Sequence, residues 1–183
     1  MKFNKSIKDE ILRVFTRGKC KGTNMKMVDV CQVFKDAGMD QVSSVLASGN
    51  IVFSSDRSAE ELKIVLEAAM SSYFSYESFL FIKSQEETSL FWSNIPFEKH
   101  PDFHIYGFVG LHGIEEVLLD EFNKSTKANN EKAEVINGLF YWQVPKGNTL
   151  DSTFGKVLGK KNLKDKFTSR NVNTFEKILK IMH

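Results

Sequence analysis

The segment Val42–Phe53 contains two β-prone runs that meet at Ser48 and Gly49. Glycine adopts positive φ angles without steric cost, so a two-residue break of this kind suits the type I′ turn that joins antiparallel strands. The segment therefore predicts a β-hairpin with a two-residue turn. We predict that this hairpin is the nucleus of a sheet.

Helical patterns flank this hairpin on both sides. Apolar residues recur with helical spacing over Met27–Ala37, and Gly38 is suited to end that helix. Ser58 and Glu61 have the spacing of a capping box, in which side chain and backbone satisfy each other at a helix start. The predicted buried face of the second helix consists of Leu62, Val65, Leu66, Ala69, Met70 and Tyr73.

Strand-like runs at Glu10–Thr16 and Glu77–Lys83 complete the element order β-α-β-β-α-β. Two right-handed crossovers in this order produce a four-stranded antiparallel sheet with both helices on one face. We therefore predict that residues 1–83 form an N-terminal ferredoxin-like half.

The second part of the chain repeats most of this order. A capping box at Ser84–Glu87 opens a short helix, His104–Gly110 indicates a strand, and Asn137-Gly138 between apolar runs is a strong hairpin signal. An apolar stripe predicts a terminal helix with Val172, Phe175, Ile178, Leu179 and Met182 on its buried face. We predict that residues 84–183 form a C-terminal plait-like half. The predicted fold class is α+β, with two ferredoxin-like halves packed together.

The composition, 42% apolar and 26% charged, is typical of a globular protein. No apolar run approaches the roughly 18 residues that span a bilayer, and the N-terminal residues lack the apolar core of a secretion signal. We expect a cytoplasmic protein that does not enter membranes. Of its two cysteines, Cys31 is expected to be buried and Cys20 exposed, and neither belongs to a Cys-x-x-Cys pair.

Charge is unevenly distributed along the chain. Residues 84–150 carry 5 Lys and Arg against 10 Asp and Glu, whereas residues 151–183 carry 8 against 3. A basic C-terminal segment is compatible with an anionic partner, and equally with docking onto the acidic middle of the same chain.

The basic C-terminal segment contains the best candidate site. A helix start offers free N–H groups, and a neighbouring arginine can hold a phosphate or carboxylate through two hydrogen bonds. The predicted ligand-binding residues are Arg170, Asn171, Asn173, Thr174, Lys156 and Lys160. In the alternative interpretation, Asn171 only caps the helix, and Asn173 and Thr174 lie in its exposed first turn.

Other motifs carry no chemistry. Gly155–Lys161 resembles a P-loop but has three residues between its glycines instead of four, and a lysine where Ser or Thr is required. His100 and His104 have a ligand-like spacing, but Pro101 interrupts any helix and no further Cys or His is near. We therefore predict no metal and no cofactor, and the catalytic residues, if there are any, are unknown.

Two segments resemble a bacterial family of uncharacterised proteins, the domain of unknown function 1697 family. The first match is formed by Met27, Gly38, Val42, Leu46, Ser48, Gly49, Asn50, Val52 and Phe53, and the second by Thr168, Arg170, Asn171, Asn173 and Thr174. The resemblance implies an α+β fold of plait-like halves and no particular activity. The chain departs from the family pattern at Val14–Thr16, where members carry Gly-Ile-Asn.

Three functions remain open at this point. The first is non-enzymatic binding of an anionic small molecule or a nucleic acid through the basic C-terminal segment. The second is an enzyme that acts on a small anionic substrate. The third is a protein-interaction module in which an uncovered sheet edge pairs with another chain. The sequence does not indicate an oligomeric state.

Overall fold

The computed structural model describes residues 10–17, 25–163 and 165–181, with only the backbone described for residues 10–17. These residues form two compact units that divide between Glu87 and Thr88. In the described part of the chain there are eight strands, arranged in two four-stranded antiparallel sheets, and six α-helices. The predicted α+β fold class is confirmed at this level.

The strands and helices of the first unit follow the predicted order. Its elements are β1 (Glu10–Arg17), α1 (Met27–Asp36), β2 (Asp40–Val45), β3 (Asn50–Ser55), α2 (Ala59–Phe74) and β4 (Phe79–Ser84). Both β3 and β4 pair with β1, and β2 pairs with β3, which gives the sheet order β2-β3-β1-β4.

The core of the first unit is built around two helix faces. On α1 the buried residues are Val30, Val33 and Phe34, and on α2 they are Leu62, Leu66, Met70 and Phe74. The α2 residues are four positions apart, so they form one ridge along the helix. The prediction that Val65 and Tyr73 are buried is wrong, because they lie beside this ridge and are 37% and 57% exposed. Cys31 is half-buried and packs against the same core.

Both predicted capping boxes are confirmed. At the start of α2, Glu61 N–H donates to Ser58 Oγ at 3.3 Å, and Ser58 N–H donates to Glu61 Oε2 at 3.1 Å. At the start of α3 (Gln85–Ser93), Glu87 N–H donates to Ser84 Oγ at 3.1 Å, and Ser84 N–H donates to Glu87 Oε2 at 2.8 Å. Because each box uses residues only three positions apart, the sequence alone specifies it.

The hairpin of β2 and β3 has a longer turn than predicted. Its last pair is Val45 and Asn50, so four residues connect the strands, and Leu46 and Gly49 adopt positive φ angles of 61° and 75°. The buried Asn50 side chain accounts for this turn, because its Nδ2 donates to Val45 O and to Ser48 Oγ, both at 2.9 Å.

Two side chains of α2 cover the edge of the first sheet at β4. Leu80 N–H donates to Glu67 Oε1 at 2.8 Å, and Leu80 O accepts from Lys63 Nζ at 2.7 Å. Lys63 and Glu67 also form an ion pair at 2.6 Å. The backbone groups of this edge residue are therefore occupied, and a strand from another chain cannot pair there without displacing both side chains.

We expect Glu67→Ala to lower the free energy of unfolding by about 1–2 kcal/mol, because it leaves Leu80 N–H without its acceptor. Urea denaturation measures the change. Glu77→Ala, which removes an exposed loop carboxylate, is the matched control and is expected to change stability by less than about 0.5 kcal/mol. Equal losses in the two variants would show that Glu67 does not hold the edge.

The second unit begins within α3 and contains the other four strands. Its further elements are β5 (Phe103–Gly110), α4 (Ile114–Lys124), β6 (Lys132–Ile136), β7 (Leu139–Pro145), α5 (Thr153–Val157), a 3₁₀ helix (Lys161–Leu163), β8 (Phe167–Asn171) and α6 (Val172–Lys180). The sheet order is β6-β7-β5-β8, with every neighbouring pair antiparallel.

The hairpin predicted at Asn137-Gly138 is confirmed. Ile136 pairs with Leu139, and the two turn residues have φ angles of 51° and 76°, as a type I′ turn requires. Strand β8 was not predicted. Four of its five residues are polar and they lack a clear alternation, and the strand exists through its pairing with β5.

Helix α5 packs closely against the chain that precedes it. A Cβ atom added at Gly155 would collide with the carbonyl oxygen of Thr149, so only glycine fits there. Helix α5 ends at Val157, with Leu158 as its C-cap.

We expect Gly155→Ala to lower the free energy of unfolding by about 1–3 kcal/mol, because the added methyl group must displace backbone. Gly159→Ala is the matched control, since its Cβ would lie 3.4 Å from Lys156 O, an ordinary contact. Thermal and urea denaturation of the two variants measure the difference. A Gly155→Ala variant as stable as Gly159→Ala would contradict the close approach.

None of the described helices is long and apolar enough to cross a membrane. The predictions for Cys20 and for Met182 fall outside the described residues.

Candidate functional site

A pocket of about 140 Å³ lies in the second unit, where the start of β5, the end of β7 and the start of α6 come together. Its polar lining consists of Lys99, His100, His104, Lys146, Asn171 and Asn173, and its apolar lining of Phe103, Ile105 and Val172. The described lining thus contains two lysines, two histidines and no carboxylate. We call it the α6 pocket.

Asn171 is the N-cap of α6. Its Oδ1 accepts a hydrogen bond from Asn173 N–H at 3.0 Å. The first N–H groups of a helix have no intrahelical partner and carry partial positive charge, so the start of α6 favours a negative group. The capping role that the sequence left as an alternative for Asn171 is therefore present, and the same residue also lines the pocket.

The side-chain amide of Asn171 also fixes the tautomer of His104. Asn171 Nδ2 lies 3.2 Å from His104 Nδ1. Because Asn171 Oδ1 is already used at the helix start, the amide nitrogen faces the imidazole and donates to it. His104 Nδ1 is then the acceptor, and in the neutral ring the proton lies on Nε2. Neutral His104 is therefore a hydrogen-bond donor through Nε2.

The two lysines of the pocket differ in their partners. Lys99 Nζ pairs with Glu176 Oε2 at 2.9 Å and lies 4.4 Å from the centre of the Trp92 ring. Hydrogen bonds from Lys99 and Lys180 hold the pKa of the Glu176 carboxyl below its ordinary value. The exposed Lys146 follows β7, and among the described residues no carboxylate pairs with it. Of the two pocket lysines, Lys146 is therefore the one whose positive charge no described carboxylate neutralises.

His100 belongs to the segment that borders the pocket. Its Nδ1 accepts from Asp102 N–H at 3.2 Å and lies 3.6 Å from the carboxylate of the same residue. Its ring packs against Phe103, with ring centres 5.5 Å apart. These contacts orient the imidazole on the surface.

Only two of the residues predicted for ligand binding, Asn171 and Asn173, line the α6 pocket. Arg170 is buried in β8, where its Nη1 donates to Thr168 Oγ1 at 2.6 Å and to Ser169 O at 2.9 Å. Thr174 is buried in the first turn of α6. The ligand roles of Arg170 and Thr174 stay predictions.

The two predicted lysines have other surroundings. Lys156 is exposed on α5. Lys160 forms an ion pair with Glu121 of α4 at 2.8 Å. Neither belongs to the lining of the α6 pocket, and their ligand roles also stay predictions.

Sequence reasoning missed Lys99 and Lys146, and it considered His100 and His104 only as metal ligands. In the part of the chain that the structure describes, no three His, Cys, Asp or Glu side chains are grouped to hold a metal ion. Phe103 pairs with Pro145 in the register of β5 and β7, and this pairing brings Lys146 to the pocket. The sequence predicted both strands, but it did not predict the register in which they pair.

An open groove of about 450 Å³ adjoins the α6 pocket and shares Lys99, His100 and Phe103 with it. Its other lining residues are Pro96, Phe97, Glu98, Asn130, Lys132, Glu134 and Gln143. The buried Gln143 side chain is oriented by a hydrogen bond from its Nε2 to Asn130 O at 3.3 Å. We call this surface the side groove. It combines apolar rings with groups of both charges.

The fold and the pocket define an α+β protein with a cationic surface site. The chain belongs to the family described as Protein of unknown function (DUF1697), whose model matches residues 15–141. The resemblance noted in the sequence is confirmed, and the family has no assigned function. None of the curated proteins matches the chain.

One solved structure supports the fold. A conserved bacterial protein from Streptococcus pneumoniae is similar over 96% of this chain and 99% of its own, with a TM-score of 0.74 at 20% identity. An unknown protein from Galdieria sulphuraria is 10% identical and matches over 89% of this chain and 98% of its own. Its TM-score of 0.26 is too low to indicate a shared fold.

We expect Asn171→Ala to lower the free energy of unfolding by about 1 kcal/mol, because α6 loses its N-cap, whereas Asn171→Asp keeps a capping oxygen and stability close to that of the wild type. Chemical denaturation of both variants measures the effect. Asn173→Ala is the control, since that side chain is exposed in the first turn. Equal losses at the two positions would contradict the capping role.

Proposed function

We propose that this protein binds a small anionic ligand, through a phosphate or carboxylate group, in the α6 pocket. The observation that carries the proposal is the convergence of a helix start, two lysines and two histidines on one concave site whose described lining has no carboxylate. Such a site stabilises negative charge, because each hydrogen bond to a charged group contributes about 1.5–3 kcal/mol.

Each group has a separate role in this proposal. The start of α6 and the Asn173 side chain offer hydrogen-bond donors, and neutral His104 donates through Nε2. Lys146 provides the attraction of a full charge. Lys99 is held between Glu176 and Trp92, so it fixes the rim of the pocket more than it adds net charge.

Asn171 and Asn173, which the sequence predicted as ligand-binding residues, keep that role in the proposal. The positive charge comes from Lys146 and no longer from Lys156 and Lys160. Lys160 is already paired with Glu121 on the surface, so the proposal gives that lysine no part in ligand binding. Arg170 and Thr174 support the site by holding β8 and the first turn of α6 from the buried side. A nucleic acid bound along the C-terminal lysines is the competing outcome of the experiment below.

We also propose that each unit is a ferredoxin-like plait. The element order β-α-β-β-α-β occurs in both, and in both sheets the first strand of the unit lies between the third and the fourth. The division into domains 1–83 and 84–183 is likewise a proposal, supported by compact units that separate between Glu87 and Thr88. A cytoplasmic location and a bacterial source are proposals that follow from the sequence expectations.

Calorimetric titration with inorganic phosphate tests the function. We expect Asn171→Asp, which places a carboxylate in the pocket, and Lys146→Gln each to weaken binding by about tenfold or more, equivalent to about 1.4 kcal/mol. Lys156→Gln is the matched control and is expected to bind within about twofold of the wild type. Binding should also weaken with added salt, because the site is open to solvent.

The opposite pattern, in which Lys156→Gln weakens binding and Lys146→Gln does not, would place anion binding on the C-terminal lysines. No binding of phosphate or of acetate, the carboxylate probe, at millimolar concentration would overturn the proposal.

A further inference from the structure

We propose that the ligand is a nucleoside monophosphate, with its phosphate in the α6 pocket and its nucleoside in the side groove. This inference rests on the proposed function and adds the chemical class of the ligand. It follows from the size of the pocket, from the wall that the pocket shares with the groove, and from the chemistry of the groove.

The α6 pocket is too small for a whole ligand. Its volume of about 140 Å³ compares with roughly 300–1,000 Å³ for the usual sites of small molecules and cofactors. It accepts one charged group, so the rest of an organic ligand must leave through its mouth.

The side groove offers the adjoining space. The two cavities share Lys99, His100 and Phe103, so a ligand that leaves the pocket across this short segment enters the groove directly. The groove has a volume of about 450 Å³, which suits the uncharged body of a small ligand. The segment is held in place, because Lys99 is bound to Glu176 and His100 packs on Phe103.

The lining of the groove favours a flat heterocycle over an aliphatic chain. Phe97 and Phe103 are aromatic surfaces on which a base can stack, whichever base the ligand carries. Gln143, Asn130 and Glu134 supply donors and acceptors for the edge of a ring. An aliphatic body would leave these polar groups without compensation, whereas a base satisfies them and stacks at the same time.

Calorimetric titration of the full chain with five probes tests the inference. The probes are adenosine, guanosine, cytidine and uridine 5′-monophosphates and ribose 5-phosphate, each compared with inorganic phosphate. We expect at least one nucleotide to bind about tenfold or more tightly than ribose 5-phosphate and inorganic phosphate, because stacking adds to the phosphate contacts.

Two groove variants make the test specific. Phe97→Ala should reduce the affinity for the preferred nucleotide to that for ribose 5-phosphate, and leave inorganic phosphate within about twofold of the wild type. Phe97→Leu keeps most of the side-chain volume but removes the ring, so it should give the same result even if the alanine variant unfolds. Asn171→Asp should weaken every phosphate-containing probe.

The results distinguish failure of the nucleotide inference from failure of the proposed anion site. If inorganic phosphate binds as tightly as all four nucleotides, or if a preferred nucleotide is unaffected by both Phe97 variants, the nucleotide inference is overturned and the proposed anion site remains. If no phosphate-containing probe binds, the nucleotide inference is overturned, and if acetate does not bind either, the proposed anion site is overturned with it.

Discussion

The antiparallel pairing of β5 with β7 is the interaction on which the candidate site depends. It aligns Phe103 with Pro145 and continues to Gly107 opposite Tyr141. Because β5 also pairs with β8 on its other side, the start of β5 lies between the end of β7 and the N-cap of α6. Backbone hydrogen bonds thus bring together three chain segments that are far apart in sequence.

Close packing under the sheet of the second unit fixes the position of α6. A Cβ atom at Gly107 would lie 3.1 Å from the Phe175 ring, and that ring stacks on Phe91 with their centres 5.4 Å apart. Tyr141 Oη donates to Phe91 O at 2.8 Å, and burial raises the pKa of the Tyr141 hydroxyl. The start of α6 is therefore held by its own packing and does not depend on a ligand.

Buried polar groups of the second unit are satisfied by specific partners. Trp142 Nε1 donates to Glu131 Oε1 at 2.9 Å, and Glu131 Oε2 accepts from Ala128 N–H at the same distance. These bonds attach the loop before β6 to the sheet, and Asn130 in that loop orients Gln143 of the side groove. A buried polar group without a partner costs about 1–3 kcal/mol, so such bonds constrain where the loop can lie.

The sequence by itself determined the features that depend on neighbouring residues. The capping boxes at Ser58 and Ser84 and the Asn137-Gly138 turn were predicted correctly, because each arises within three or four residues. Tertiary structure decided the rest. Strand β8 forms because β5 offers it a pairing edge, and the four-residue turn before Asn50 forms because that side chain is buried against it. Lys146 reaches His104 and Asn171 only through strand register, and register depends on contacts between distant residues that no local pattern encodes.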